Sequence, residues 1–529
     1  MPHRAHVICL TGLLGSCGAL AAGLFVHHSK SAQAGQVPAA HATEPPIVVP
    51  RLWSAKELEG WATPLAGLGV PPTMMSEEQF YAIPIDNLRS YPVYHPDHEP
   101  PGYREGLIKR GPQPLIEPEK LKTMGDWIEA GRIVFESLET PSARSDDPSV
   151  IAHFTNAKAI DKYRDADHDS MTADGILIDY RWVVDRDSRL LLSVSSCYGC
   201  HSRLMSDGHL LVGAPCNFDV SEAPAVSLML DQIIPTLPSM PGGEKFYAQF
   251  GVPWRADDPH QRFKTMPDQE RAAFLSQETG EPPGTMFARF NGSPLYKTRM
   301  ADLRGVRDRR YLDATGTHAN RGPADIARYG LLVEYALDSG FGPHQMLPAD
   351  ALKGLVRPPD EAMYALGLYV YSLDPVPSPH PFDDRARIGQ QIFVDEGCAK
   401  CHTPPAYTNN KLIPVPGFEP RLDDPATARL NISNRRVNTD PGLALLTRKG
   451  TGYYKVPSLR GVWYRGLYGH CGYVTSLEEW FDPKRLRSDY VPSGFRGPGV
   501  KSMAVPGHDF GLDLTEDERR ALIAFLRTL

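Results

Sequence analysis

ARIGQQIFVDEGCAKCH, residues 386–402, carries two patterns end to end: apolar residues at helical spacing around Gly389 and Phe393, and then Cys398-Ala399-Lys400-Cys401-His402. Each has an earlier copy. WIEAGRIVFESLE, residues 127–139, again places a glycine, Gly131, four residues before a phenylalanine, Phe135. Cys197-Tyr198-Gly199-Cys200-His201 repeats the cysteine pattern, separated from Phe135 by a long insert. The spacing predicts that the same helix opens each of two related modules.

Two thiols three positions apart, followed at once by an imidazole, suit covalent attachment of a c-type haem. The thiols form thioethers with the vinyl groups and the histidine reaches the iron from the same side. A zinc site draws four Cys or His ligands into one centre, but here each pair has its own histidine and the pairs are far apart in sequence. A thiol–disulfide motif has no need of the histidine. The expectation is two covalently bound haem c groups, on Cys197, Cys200 and His201 and on Cys398, Cys401 and His402.

The chain has 529 residues, 41% hydrophobic and 22% charged, with a net charge of −7. That length supports several cores without cross-links, so stability does not account for the eight cysteines. No basic face marks a nucleic-acid partner. A basic start, MPHR, an apolar run over 7–26 and Ala32-Gln33-Ala34 read as an export signal, residues 1–34. An uncut membrane anchor and a lipid attachment at Cys17 are the other readings; all place the bulk of the chain outside the cytoplasm, periplasmic or secreted. Cleavage leaves Cys216 and Cys471 outside the two motifs, as a disulfide or as two unrelated buried thiols.

Residues 35–125 are proline-rich with recurring aromatics, an irregular extension lying on the body of the protein. A first haem domain spans 126–380, with strand-like DYRWVV and RLLLSV in its insert and the helix-like PADIARYGLLVEYAL further on. A proline-rich linker at 374–384 leads to a second haem domain, 381–529. Thr515 and Glu518 form a capping box for a terminal helix whose Leu522, Phe525, Leu526 and Leu529 make one apolar face. The fold class is mainly α: two class I cytochrome c-like helical modules, long loop-rich insertions and few short strands.

Function turns on what stands opposite each axial histidine. Ahead of the terminal helix, KSMAVPGHDFG offers His508 between Gly507 and Gly511, with Met503 the alternative; a second protein ligand there makes haem 2 an electron relay. Pro404 and Pro405 stand where a carbonyl can hold the His402 ring. For haem 1, His209 is near in sequence but reads as a loop histidine. The segment DATGTHANRGPADIARYG brings His318, Arg321, Asp325 and Arg328 together, either as a distal pocket with His318 and Arg321 acting on an oxidant, or as caps and salt bridges.

The two motifs, KVPSLRGVWYRGLYGHCGYVTSLEEWFDP at 455–483 and the ending LDLTEDERRALIAFLRTL resemble the bacterial di-haem cytochrome c peroxidase superfamily over roughly 126–529. The extended first module, RDRRYLDATGTHANRGPADIARY and a histidine at 508 resemble its di-haem rubber oxygenase branch. The resemblance implies an oxidoreductase acting on O2 or H2O2 at haem 1, a bis-histidine haem 2 with His402 and His508, and a hydrophobic organic substrate or a redox-partner protein. A calcium ion between the modules is also implied, with no ligands assignable. The family's Tyr-x-His-x-Gly loop is kept as Tyr468-Gly469-His470-Cys471-Gly472, with Cys471 as a departure. A non-catalytic di-haem electron carrier is the alternative function.

Overall fold

Gly131 and Gly389 explain how the two halves are built. In the computed structural model Gly131 lies on helix α1 (Met124–Ser137), where a Cβ would meet the Ala365 carbonyl oxygen at 2.0 Å. That carbonyl belongs to helix α3 (Asp360–Ser372), which follows α2 (Pro323–Tyr335). Gly389 lies on α4 (Asp384–Asp395), and its Cβ would meet the Ala521 carbonyl of α5 (Glu516–Arg527) at 1.9 Å. Each glycine lets two helix backbones touch. Beside it an aromatic pair locks the crossing: Phe135 with Tyr369, centroids 5.6 Å apart, and Phe393 with Phe525, 5.3 Å.

The repeat runs further than the helices. Leu303-Arg304-Gly305-Val306 recurs as Leu459-Arg460-Gly461-Val462. Both glycines have positive φ, +68° and +77°, and each begins a short helical turn. The Gly305 N–H donates to the Leu373 carbonyl just after α3, and the Gly461 N–H to the Leu529 carbonyl just after α5, at 2.8 and 2.7 Å. The order opening helix, Cys-x-x-Cys-His, Leu-Arg-Gly-Val, closing helix is therefore traversed twice.

Residues 47–162, 170–218, 242–271, 274, 282–286, 292–335, 337–346 and 354–529 are described by the structure. The leader reading at 1–34, with Cys17 and Ala34, lies outside them. Among the described residues no helix is long and apolar enough to cross a membrane. Residues 46–529 form one compact unit. From 47 onward the extension packs on the first helix set: Leu52, Trp53, Trp61, Met75 and Phe80 share a core with residues of α1, α2 and α3. The expected strands form a small antiparallel sheet, β1 (Ser90–Tyr94), β2 (Ile176–Val184) and β3 (Leu190–Val194), in the order β1-β2-β3. The remaining strands are short, so the chain is mainly helical. The terminal capping box is present as read, with Thr515 and Glu518 bonded reciprocally.

Candidate functional site

The second Cys-x-x-Cys-His follows α4 directly. Gly397, at φ +72°, turns the chain so that Cys398–Lys400 form one tight turn, and His402 closes it by donating its N–H to the Cys398 carbonyl at 2.8 Å. The His402 ring is oriented by its Nδ1, which donates to the carbonyls of Pro457 at 3.1 Å and Tyr407 at 3.2 Å. This corrects the expectation for Pro404 and Pro405: the carbonyls come from two residues before Leu459 and from Tyr407. With the proton on Nδ1, the lone pair is on Nε2, the form that binds iron.

Cys398, Cys401 and His402 line a cavity of about 240 Å³, and His508 lines it as well. The His402 and His508 rings face each other with centroids 6.3 Å apart. An imidazole nitrogen binds a first-row metal ion at about 2.0–2.1 Å with its ring centre about 1.1 Å behind, which puts two rings on opposite sides of one ion about 6.3 Å apart. Burial pushes the two histidines down to about 4 and about 3, so both are neutral, as ligands must be. Met503 does not line this cavity; it lies against Tyr490, to whose carbonyl its N–H donates.

The walls have two characters. Phe393, Val462, Leu477, Phe481, Leu522 and Leu526 give an apolar side. Arg299, Lys455 and Arg465 give a cationic side, and none has a carboxylate within 4 Å among the described residues; their donors go to the carbonyls of Leu467, Tyr311 and Ser458. Burial lowers Arg299 to about 10 and Lys455 to about 7. Buried cations facing only carbonyl dipoles are costly, which points to an anionic group between them. A flat apolar ring with carboxylate side chains, held by two thiols and two imidazoles, would fit this donor set, as haem would. Of the first module, Arg299 and Ala314 reach this cavity.

At the first site Cys197–Cys200 form one helical turn, with Tyr198 packed on Phe135 at 6.4 Å. The His201 Nδ1 donates to the Ala301 carbonyl at 2.9 Å. Ala301 stands two residues before Leu303, as Pro457 stands two before Leu459, so both motif histidines are set by the same position of the repeated segment. Arg181, buried beside the Tyr198 ring at 5.9 Å, is lowered to about 10 by burial. Cys200 packs against a cluster holding Cys216, Phe218, Met286 and Met300. Ahead of α3 the first module departs from the second: residues 338–341 pair with 73–74 on one side and with 344–345 on the other, and His344 lies beside Trp254, 5.8 Å between centroids.

The other candidates go elsewhere. His209 is exposed and paired with Asp207. His318 is buried against Trp61, 4.2 Å between centroids, with its Nδ1 3.0 Å from the Thr317 hydroxyl. Arg321 grips Asp325 at 2.8 and 2.9 Å and donates to the carbonyls of Glu57 and Glu59, while Arg328 pairs with Asp325 and Glu57. These are contacts that tie the N-terminal extension to α2. Cys216 and Cys471 are both free and buried, in different clusters. His470 stacks on Tyr454, 4.0 Å between centroids, and its Nε2 lies 3.0 Å from the Tyr473 hydroxyl. Among the described residues no three His, Cys, Asp or Glu side chains gather to hold a metal ion by themselves. Sequence reading missed Ala301, Pro457 and the cation set. The Leu-Arg-Gly-Val repeat was the available signal for the first two.

No family model matches the chain. Cytochrome-c peroxidase IdrP1 of Denitromonas iodatirespirans is 28% identical over 163 residues, which cover 27% of this chain and 40% of that protein's length. Among solved structures, a MauG-like protein associated with microbial copper homeostasis is similar at 18% identity and a TM-score of 0.27, over 44% of this chain and 73% of that one. The diheme peroxidase BthA of Burkholderia thailandensis is similar at 16% identity and a TM-score of 0.21, over 44% and 66%. The curated relative is thus a peroxidase matched over a minority of both chains, and the two structural likenesses are remote.

Proposed function

We propose that this protein is an exported di-haem c-type oxidoreductase, akin to bacterial di-haem peroxidases, that uses O2 or H2O2 as oxidant at the first haem and relays electrons through the second. The observation that carries the reading is the pair His402–His508, 6.3 Å between ring centres across one cavity. Were both imidazoles to ligate a haem iron held there, that iron would have no place for a small oxidant, which leaves the first site for the reaction. Haem 1 would be held by Cys197, Cys200 and His201, and haem 2 by Cys398, Cys401, His402 and His508. When bound, haem supplies one-electron redox chemistry and, where an axial position is open, oxidant binding.

The chain's own residues have definable tasks. The Ala301 and Pro457 carbonyls keep the proton on Nδ1 of His201 and His402 and raise the basicity of the opposite nitrogen. Arg299, Lys455 and Arg465 would receive the carboxylates of a haem held in the second cavity, and the apolar wall would keep water from its ring. The contacts of His318 and Arg321 support a structural task rather than an oxidant-directed one. The rubber oxygenase-like branch, with a hydrophobic organic substrate, rests on the extended first module, the segment at 307–329 and His508. Purified holoprotein, assayed for haem by alkaline pyridine spectra and for turnover with O2 or H2O2 and a reductant, tests the reading. Two covalent haems and oxidant consumption are expected; two haems with no turnover would make the protein an electron carrier, and no covalent haem would overturn the proposal.

A further inference from the structure

Arg485 has no part in the cavity wall, yet it is completely buried and has no carboxylate within 4 Å among the described residues. Its guanidinium spends its donors on backbone. Nε donates to the Trp480 carbonyl at 2.8 Å, Nη1 to the Val505 carbonyl, and Nη2 to the carbonyls of Gly507 at 3.0 Å and His508 at 2.9 Å. The Val505 N–H returns a bond to the Arg485 carbonyl at 2.7 Å, and the guanidinium lies 4.9 Å over the Trp480 ring, itself 5.5 Å from the His508 ring. Three of the four acceptors are therefore in the segment that delivers His508.

That segment needs holding. His508 sits at φ +52° and Gly507 at +76°, a region that side-chain-bearing residues rarely adopt. On the opposite side the His508 N–H donates to the Val437 carbonyl at 2.8 Å, and a Cβ on Gly507 would lie 2.4 Å from that same oxygen. A buried cation without a counter-charge is expensive, so the geometry must return something for it. Only arginine presents five donors in a rigid plane; a lysine ammonium offers three from a flexible stem.

We infer that Arg485 is a positioning residue for the second haem: it clamps the 505–508 backbone so that the His508 imidazole stands opposite His402. This rests on reading His508 as an iron ligand, and the test separates the two. Ferric spin state by EPR and the haem reduction potentials are measured for holoprotein, Arg485→Lys, Gly507→Ala and His508→Ala, with circular dichroism to check folding. His508→Ala should lose the low-spin signal of one haem. Arg485→Lys should lose part of that same signal and shift that haem's potential while the other haem is unchanged. Gly507→Ala, which displaces an acceptor of the clamp and leaves Arg485 intact, should act in the same direction. An unchanged signal in His508→Ala removes the ligand reading itself. If His508→Ala loses the signal but a folded Arg485→Lys retains it and its potential, the clamp is overturned. Should Arg485→Lys fail to fold, an unchanged signal and potential in Gly507→Ala overturns it as well.

Discussion

The first and second frameworks of this chain share a helix crossing, an aromatic pair, a Cys-x-x-Cys-His turn, a Leu-Arg-Gly-Val turn and the carbonyl that orients the motif histidine. They part company ahead of the closing helix. Before α5 the chain runs through Gly507 and His508 into the cavity; before α3 it makes a small sheet, with His344 beside Trp254. A common frame with different segments brought against it is a way to divide labour between two sites built on the same motif. The frame orients the motif histidine, and the variable segment decides what else faces it.

Changes to the shared frame should cost both halves alike. Gly131→Ala and Gly389→Ala each force a Cβ into a carbonyl at about half the normal contact distance, and each should lose about 1–3 kcal/mol as the helices separate. Thermal melts of the two variants check this, and a loss at only one would break the equivalence. Changes to the variable segment should be local. His508→Met replaces imidazole by a thioether and should raise the potential of one haem by on the order of 0.1 V, within the roughly 0.8 V that axial ligands span. Redox titration followed optically reads it, with the other haem as internal control.

Acid should weaken the fold outside both sites. His260, bonded to Asp258 and near Arg448 and Arg262, and His318, near Lys449, are both lowered by burial. Unfolded imidazoles titrate near about 6.5, so below that pH the unfolded chain takes up protons the folded chain refuses. Stability should therefore be full above that point and fall as pH drops, by up to about 1.4 kcal/mol per pH unit for each imidazole. Melting temperatures at pH 8 and pH 5 measure it. The smallest effect is expected for Arg321→Gln. Asp325 keeps Arg328 as a partner, so the loss should be within about 1 kcal/mol, with turnover kept. A folded variant without turnover would give Arg321 an oxidant-directed role.

Much of the frame was legible. Gly131 and Gly389 announced matching helices, Thr515 with Glu518 marked the last one, and DYRWVV and RLLLSV formed the expected strands. The approach of His508 to the His402 cavity was legible because glycines flank it just before a well-signalled helix. Other parts were hidden by distance in sequence. The match of ALGLYVYSL at 365–373 with ALIAFLRTL at 521–529 is blurred by tyrosines where α5 has phenylalanine and arginine, so α3 was not read as the partner of α1. Pro404 and Pro405 were read as the carbonyl source because a local carbonyl is the simpler guess; the chain instead brings one from 55 residues on. Arg485 had no sequence signal, since an arginine serving only carbonyls leaves no acidic partner to notice.

The central claim, that one site is closed by two histidines and the other takes the oxidant, is tested most directly by titrating the fully reduced holoprotein with carbon monoxide. One equivalent per chain is expected, rising to two in His508→Ala. No binding, or two equivalents in the unaltered protein, would contradict it.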